Sequence, residues 1–271
     1  MAFFFLKDPC GIICLLITYS SIIYADYVVL AEIVVPQHGD SKTCSISGCL
    51  HVVVFNALLF LLFYSHVKAM LTDPGYVPFP EIAVDFSETR RSSRKKNLND
   101  DDWTVCRQCE LFRPPRSHHC RVCRRCVRKM DHHCPWINNC VGERNQKYFI
   151  LFLFYTGLSC LHALILIATS WSDPIPDQNE SQKTYHRIRL IALIVICLLF
   201  CLFVISVLYD QFYSICYDVT AIEIGTKREG KSTKMKKQLL IETFGTGSYL
   251  KWFFPCSSTH LAQDYRIDYN V

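Results

Sequence analysis

The chain has 271 residues, is 51% hydrophobic and carries a formal net charge of +5. Its apolar residues are gathered into long runs, which excludes one large soluble core and argues for a membrane protein. Among its 16 cysteines, seven fall between Cys106 and Cys140, interleaved with four histidines, which argues for bound metal rather than a small secreted disulfide scaffold.

In chain order, Lys7 is followed by an apolar run too long for the core of a cleavable signal peptide. A bilayer core about 30 Å thick takes about 20 apolar residues as helix. Gly11 to Val35 is long enough but contains Asp26 and Glu32. Acids are costly inside a span, so both are expected near the far interface, paired with polar neighbours. Cys49–Val67, Tyr148–Ser172 and Leu190–Tyr209 are three further runs without a charge.

Of the 29 Lys and Arg residues, fifteen lie in Leu71–Lys147 and eight follow Tyr209. By the positive-inside asymmetry, the central segment and both termini are then cytosolic. The two short connections face the lumen or exterior. Cys44 and Cys49 lie in or beside the first, free or paired. The second carries the sequon Asn179-Glu180-Ser181, close to the membrane, where glycosylation is not expected. The chain thus divides into 1–70 with spans one and two, a cytosolic segment 71–147, spans three and four in 148–213, and a cytosolic tail 214–271. Glu88–Asp102 reads as a polar linker, and the cysteine-rich domain covers about 104–147.

Zinc takes four thiolate or imidazole ligands in a tetrahedron, and Cys-x2-Cys brings two thiolates from one turn to one ion. Cys106, Cys109, His119 and Cys126 make one such set. Cys120, Cys123, His133 and Cys140 make a second, each member shifted by fourteen residues. This pairing suggests a local duplication and leaves one cysteine, Cys134, without a metal. A thiol reacts as thiolate, and a neighbouring histidine activates it. His132 stands ready for that role, with Asp131 to orient it. Pro135 disfavours helix at Cys134, so a turn there would expose the thiol. A RING-type module would need no extra cysteine beside Asp-His. Arg121, Arg124, Arg125 and Arg128 suggest a nucleic-acid knuckle, but the stripe runs into a span, so phospholipid or CoA phosphate is the better-matched partner and no nucleic acid is expected.

The segment Cys106–Phe149 resembles the cysteine-rich domain of the DHHC protein S-acyltransferases. It carries Cys106-x2-Cys109, Arg113-Pro114-Pro115-Arg116, His119-Cys120-x2-Cys123-x2-Cys126, Asp131-His132-His133-Cys134-Pro135-Trp136, Asn138-Asn139-Cys140-Val141-Gly142 and Asn145. Asp73-Pro74-Gly75 and the four spans extend the likeness over nearly the whole chain. The stretches Cys10–Cys14 and Met130–Tyr148 look like the Golgi-type branch. The resemblance implies an α-helical integral membrane protein: four transmembrane helices, with a cytosolic zinc domain of short β-hairpins and two structural zinc sites between spans 2 and 3. It implies a two-step palmitoyltransferase: Cys134 attacks palmitoyl-CoA, then passes the chain to cysteines of membrane-associated substrate proteins. His132 is then the base, Asp131 its orienter and His133 a zinc ligand. Trp136 borders the thioester, the acyl chain lies among the spans, and the CoA phosphates face Arg113, Arg116, Arg128, Lys129 and Lys147. An endomembrane location, the Golgi, follows.

Two positions depart from the family pattern. The Thr-Thr-x-Glu motif reads Thr220-Ala221-Ile222-Glu223, so a hydrogen bond from the second threonine to the active site is expected to be missing. Gly247 stands where asparagine is expected. These departures favour an alternative reading, a zinc-domain membrane adaptor with little catalysis. A transport reading built on Asp26, Glu32 and His162 lacks broken helices or an internal repeat. In the tail, the basic run Lys227–Lys237 suits water or anionic lipid. Trp252, Phe253 and Phe254 are expected at the interface or on the zinc domain. Cys216 and Cys256 are candidate acylation sites, and Tyr269-Asn270-Val271 fits a PDZ ligand.

Overall fold

The computed structural model describes residues 8–40, 43–79, 103–171, 179–226 and 233–256, the side chains of 37–40, 43 and 44 excepted. The linker Glu88–Asp102, Lys227, Arg228 and Lys231 of the basic run, the C-terminal Tyr269-Asn270-Val271 and the Cys44 side chain lie outside the described residues.

Among the described residues, four helices are long and apolar enough to cross a membrane. The first comprises α1, Pro9–Tyr27, continued by a π-helix, Val28–Val34. Asp8 caps it, its Oδ2 accepting the Gly11 N–H at 2.9 Å, with Pro9 pre-set for the first turn. A single-turn helix α2, Val35–His38, and two-residue strands β1, Gly39–Asp40, and β2, Thr43–Cys44, lead to α3, Ile46–Leu71. Ser45 caps α3, which stops just before the Thr72-Asp73-Pro74 step. The third long helix is α4, Gln146–Ser170, and the fourth is α5, Glu180–Tyr217. Asn179 opens α5 with a capping box: its Oδ1 accepts the Gln182 N–H and the Gln182 Oε1 accepts the Asn179 N–H. The sequon asparagine is therefore engaged as a helix cap.

The fourth run, Leu190–Tyr209, underestimates its helix by ten residues at one end and eight at the other. Hydropathy marks the part that lies in hydrocarbon, whereas a 38-residue helix is about 57 Å long and passes well beyond it. Glu32 meets its expectation of polar partners. Its carboxylate accepts from His186 Nδ1 at 2.8 Å and also pairs with Arg189, tying the π-helix to α5. Asp26 does not: its Oδ1 is buried without a hydrogen-bond partner among the described residues. The helix α4 is the central one, packing against α3 on one side and α5 on the other, and Phe149, Leu153, Ala163 and Leu193 form the dry core between them.

Among the described residues between α3 and α4 lie three antiparallel hairpins. They are β3, Thr104–Cys106, with β4, Leu111–Arg113; β5, Ser117–Cys120, with β6, Arg125–Arg128; and β7, His132–Cys134, with β8, Asn139–Val141. The register repeats every fourteen residues: Cys106 pairs with Leu111, Cys120 with Arg125 and Cys134 with Asn139. So does the turn, with left-handed backbone at Glu110, Arg124 and Asn138 (φ 50°, 54° and 47°). The expected duplication is thus three hairpins, each turning back through one residue in the αL region.

Both apolar packing, with Cys134, Ile137 and Val141 in one buried cluster with Leu59 and Phe149, and hydrogen bonds dock these hairpins on the helices. The Asn139 side-chain amide donates to the carbonyls of Met70 and Thr72 at 3.0 Å each, covering groups that the end of α3 leaves unpaired. Asn145 donates to Ala69 O at 3.1 Å and Cys140 O at 2.8 Å, and its Oδ1 accepts the Gly142 N–H. Asp73 folds Asp73-Pro74-Gly75 into an Asx turn, accepting from the Gly75 and Tyr76 N–H groups, and Gly75 O accepts the Arg128 N–H at 2.8 Å. At Gly142 a Cβ would stand 2.5 Å from Pro74 O, so this contact admits glycine alone.

After α5, two short helices follow: α6, Ala221–Thr226, and α7, Lys236–Phe244. The tail then returns to α4. Trp252 stacks on Phe244 and donates to Gly245 O at 2.9 Å, and the Tyr155 hydroxyl donates to Phe253 O at 2.5 Å. Trp252 and Phe253 therefore pack against α4, beside Ile150 and Phe154, while Phe254 is exposed. Gly247, in place of asparagine, has φ +108°, a conformation that side chains rarely adopt.

Candidate functional site

The hairpins interleave their ligands. The turn of β3–β4 supplies Cys106 and Cys109, which meet His119 and Cys126 across the β5–β6 pair. The turn of β5–β6 supplies Cys120 and Cys123, which meet His133 and Cys140 across β7–β8. In each set the four donor atoms lie within 4.8 Å of one another. In the first, His119 Nδ1 is 3.1 Å from Cys109 Sγ and 3.7 Å from Cys106 Sγ. In the second, His133 Nδ1 is 3.4 Å from Cys123 Sγ, and Cys123 and Cys140 are 3.4 Å apart. Zn–S and Zn–N bonds of about 2.3 and 2.0 Å in a tetrahedron put sulfur and nitrogen roughly 3.5 Å apart and two sulfurs roughly 3.8 Å apart. Both clusters fit structural zinc, and no coordination position is left open for substrate.

Cys134 occupies, in the third hairpin, the place that Cys106 and Cys120 hold in the first two. The second knuckle cysteine, at 109 and 123, becomes Ile137 there, so the third turn is a knuckle that lacks its second thiol. Cys134 is buried, 3% exposed, and lies within hydrogen-bond reach of His132. The His132 Nδ1–H donates to Asp131 Oδ2 at 2.7 Å, which leaves Nε2 for the thiol. Burial alone would lower His132, but its bonds to Asp131 and Cys134 outweigh that and push it up to about 9. Asp131, 4% exposed, is held below the usual carboxylate range although burial opposes this; His132, the Ala221 N–H and Gln211 all donate to it.

That Ala221 contact adds to what the sequence suggested. The threonine side chain is absent, yet the backbone N–H of residue 221 donates to Asp131 Oδ1 at 2.8 Å. Thr220 and Glu223 cap α6 reciprocally and so fix that N–H: Glu223 Oε2 accepts the Thr220 N–H at 2.8 Å, and Thr220 Oγ1 accepts the Glu223 N–H at 3.3 Å.

Arg116 corrects an expectation. All three of its guanidinium nitrogens are taken, Nε by Glu223 at 2.7 Å, one terminal nitrogen by Asp218 at 2.8 Å, the other by Glu223 at 2.9 Å and Asp218 O at 2.8 Å. It ties the second hairpin to the end of α5 and is not available to a phosphate. Lys129 joins the cluster on Asp218 at 2.9 Å. Burial would raise Asp218, but Lys129 and Arg116 hold it at about 2. Its depressed value means this tether is intact above pH 4 and is lost as the pH falls towards 2. Arg128 pairs with Glu143 at 3.1 Å, and the Arg113 Nε donates to Thr104 at 2.7 Å. Lys147, 1% exposed, donates to Phe244 O and Lys251 O at 3.2 Å each, so it anchors the tail rather than a phosphate. Removing Arg116 leaves the mostly buried Glu223 without a charged partner and Asp218 with Lys129 alone. Arg116→Ala is expected to destabilise the hairpin–α5 junction by on the order of 3 kcal/mol, read as a lower thermal midpoint with zinc content retained.

Behind the turn, all four long helices contribute to a partly open apolar pocket, lined by Ser21, Leu59, Phe152, Cys160, Leu193 and Phe200 among others. From Phe152 to Ala163 it follows α4 for about 16 Å. Trp136 packs against its Phe200 wall, its ring 5.8 Å from Phe200 and 5.6 Å from Phe203. The Trp136 carbonyl accepts from His66 Nε2 at 2.9 Å, and His66 Nδ1 accepts from the Tyr19 hydroxyl at 2.9 Å. His66, Tyr19, Asp218 and Gln211 were not singled out in the sequence. Their one signal there is a polar group in or beyond an apolar run, which does not say what it faces.

Residues 99–228 match the model of the DHHC palmitoyltransferase family. Over 256 residues the chain is 39% identical to palmitoyltransferase ZDHHC3 of Homo sapiens, an alignment covering 93% of this chain and 82% of that one. It is 35% identical over 256 residues to palmitoyltransferase ZDHHC7 of Rattus norvegicus, covering 93% and 80%. Over 143 residues it is 39% identical to the probable protein S-acyltransferase 16 of Arabidopsis thaliana, covering 52% and 49%.

Proposed function

The chain belongs to the DHHC palmitoyltransferase family, and from that premise we propose that it carries a long-chain acyl group on Cys134, from acyl-CoA to cysteines of other membrane-associated proteins. It is a multi-pass membrane protein and a protein S-palmitoyltransferase. The observation that carries the Cys134 assignment is one unligated thiol beside an Asp131–His132 pair, buried in the same apolar cluster as the pocket-lining Leu59 and Phe152.

In the first step His132 Nε2 holds the proton taken from Cys134, and the sulfur attacks the thioester carbonyl of acyl-CoA. The bond from the acyl carbon to the CoA sulfur breaks, and the CoA thiolate leaves with the proton from His132. In the second step a substrate thiol gives its proton to His132 and attacks the same carbon. Cys134 is expelled and reprotonated. Asp131 holds the His132 ring in one orientation and stabilises its charged form. Zinc in the two clusters supplies folding energy and fixes the hairpins. The acyl chain lies in the cavity past Trp136, at about 0.8 kcal/mol per buried CH2. Arg113 and Lys129 are the basic residues assigned to the CoA phosphates. The hairpin end of the bundle faces the cytosol, and the location is the Golgi.

The adaptor alternative drew on Ala221, and the N–H of that residue reaches Asp131 without a threonine. A rapid-quench assay separates the readings. Palmitoyl-CoA added to the purified protein is expected to release a burst of about one CoA per chain, then a slower phase that accelerates when a thiol-bearing membrane peptide is added. Absence of any CoA release from zinc-loaded protein would favour the adaptor.

A further inference from the structure

Asp131 accepts three hydrogen bonds, and two of the donors are accounted for: the His132 ring and the Ala221 N–H. The third comes from a residue that neither the metal sites nor the acyl-transfer steps require. Gln211, on α5 and 2% exposed, donates from Nε2 to Asp131 Oδ2 at 2.8 Å. Its own Oε1 accepts from Gln146 Nε2 at 3.2 Å, from the first turn of α4.

The orientation of both amides follows from the carboxylate. Ionised, Asp131 only accepts, so Gln211 must turn its NH2 towards it. Its oxygen then faces the neighbouring glutamine, which must in turn present its own NH2. The result is a directed chain, Gln146 to Gln211 to Asp131, that joins two membrane helices to one carboxylate oxygen. It is the same Oδ2 that His132 uses. A buried amide without partners is costly, and here both ends of the Gln211 side chain are bonded.

We infer that Gln211, backed by Gln146, is a positioning residue for acyl transfer, fixing the Asp131 carboxylate so that His132 keeps Nδ1 as donor and Nε2 towards Cys134. The inference rests on the Cys134 reading above and adds to it. Without the amide, Oδ2 keeps His132 as its single described partner and the carboxylate is free to turn about the Ala221 bond. The His132 ring loses its fixed orientation, while zinc, cavity and thiol are untouched. An amide also carries no proton to give, so it fixes the carboxylate without competing with His132.

The test uses full-length protein in detergent, with palmitoyl-CoA as the probe and single-turnover self-acylation as the readout. Gln211→Leu is expected to lower the maximal rate about 10- to 100-fold, the usual range for groups that orient a ligand or base. The palmitoyl-CoA concentration at half-maximal rate and a zinc content of two per chain should not change. Gln146→Leu, which leaves the Gln211–Asp131 bond in place, is expected to show a smaller loss. Should Gln211→Leu fail to fold, the unbranched Gln211→Met takes its place with the same expectation. A wild-type rate in a folded, zinc-loaded Gln211 variant overturns the inference, as does a loss confined to half-saturation or matched by lost zinc. An unlabelled wild type would instead overturn the Cys134 reading itself, so the two failures are distinguishable.

Discussion

Cys134→Ser is expected to abolish acyl transfer while both zinc sites remain filled. The loss should be on the order of 10⁴-fold or more in the rate of CoA release, as for removal of a nucleophile elsewhere. The reason lies in the hairpin repeat. Cys106 and Cys120 sit at the same register position and have a second knuckle cysteine three residues on, whereas Cys134 has Ile137. Serine at 134 therefore withdraws no ligand. Its hydroxyl is far less acidic than a thiol, so His132 cannot activate it to the same degree. Loss of zinc in this variant, measured by elemental analysis, would show that the eight ligands are partitioned wrongly.

The second large effect is on the metal sites. Cys120→Ser is expected to reduce zinc from about two ions per chain to about one and to eliminate activity. Structural zinc contributes apparent folding free energies of about 10–16 kcal/mol, more than a small hairpin domain holds in reserve. The two sites are not equivalent in consequence. The site of Cys120 and Cys123 also holds His133 and Cys140, the residues on either side of the Cys134 turn, so its loss frees the nucleophile. The site of Cys106 and Cys109 pins β3–β4 to β5–β6, further from the thiol. Cys106→Ser should cost one ion as well but leave more residual acylation than Cys120→Ser. Retention of both ions in either variant would contradict the interleaved scheme.

The metal ligands were readable in the sequence because they follow a rule of spacing. A fourteen-residue offset is a property of the chain alone, and the three hairpins realise it in register and in backbone conformation. The apolar runs were equally legible, since burial in lipid demands continuous hydropathy. What was not legible is what polar groups do once the runs are packed. Arg116 was read as one of five basic residues facing the CoA phosphates because it lies on the expected cytosolic side of the spans. Asp218 and Glu223 claim it, and both lie about a hundred residues away in sequence. Ala221 was read as a lost contact because side chains are what a sequence displays. The contact there is a backbone N–H, whose direction depends on the Thr220–Glu223 cap. Gln211 gave no signal beyond being polar near the end of an apolar run, and its meaning appears only when α4, α5 and the third hairpin converge on Asp131. Lys147 was misread for the same reason, because its partners are carbonyls of a tail a hundred residues downstream.

The central claim is that one thiol, Cys134, carries the acyl group. The most direct measurement is peptide mapping by mass spectrometry of the wild-type protein quenched after one turnover with palmitoyl-CoA, with and without hydroxylamine. The account predicts a palmitoyl adduct on the peptide containing Cys134, removed by hydroxylamine, with the eight ligand cysteines and histidines unmodified. An adduct confined to another cysteine, such as Cys14, Cys216 or Cys256, or no adduct on folded, zinc-loaded protein, would contradict it.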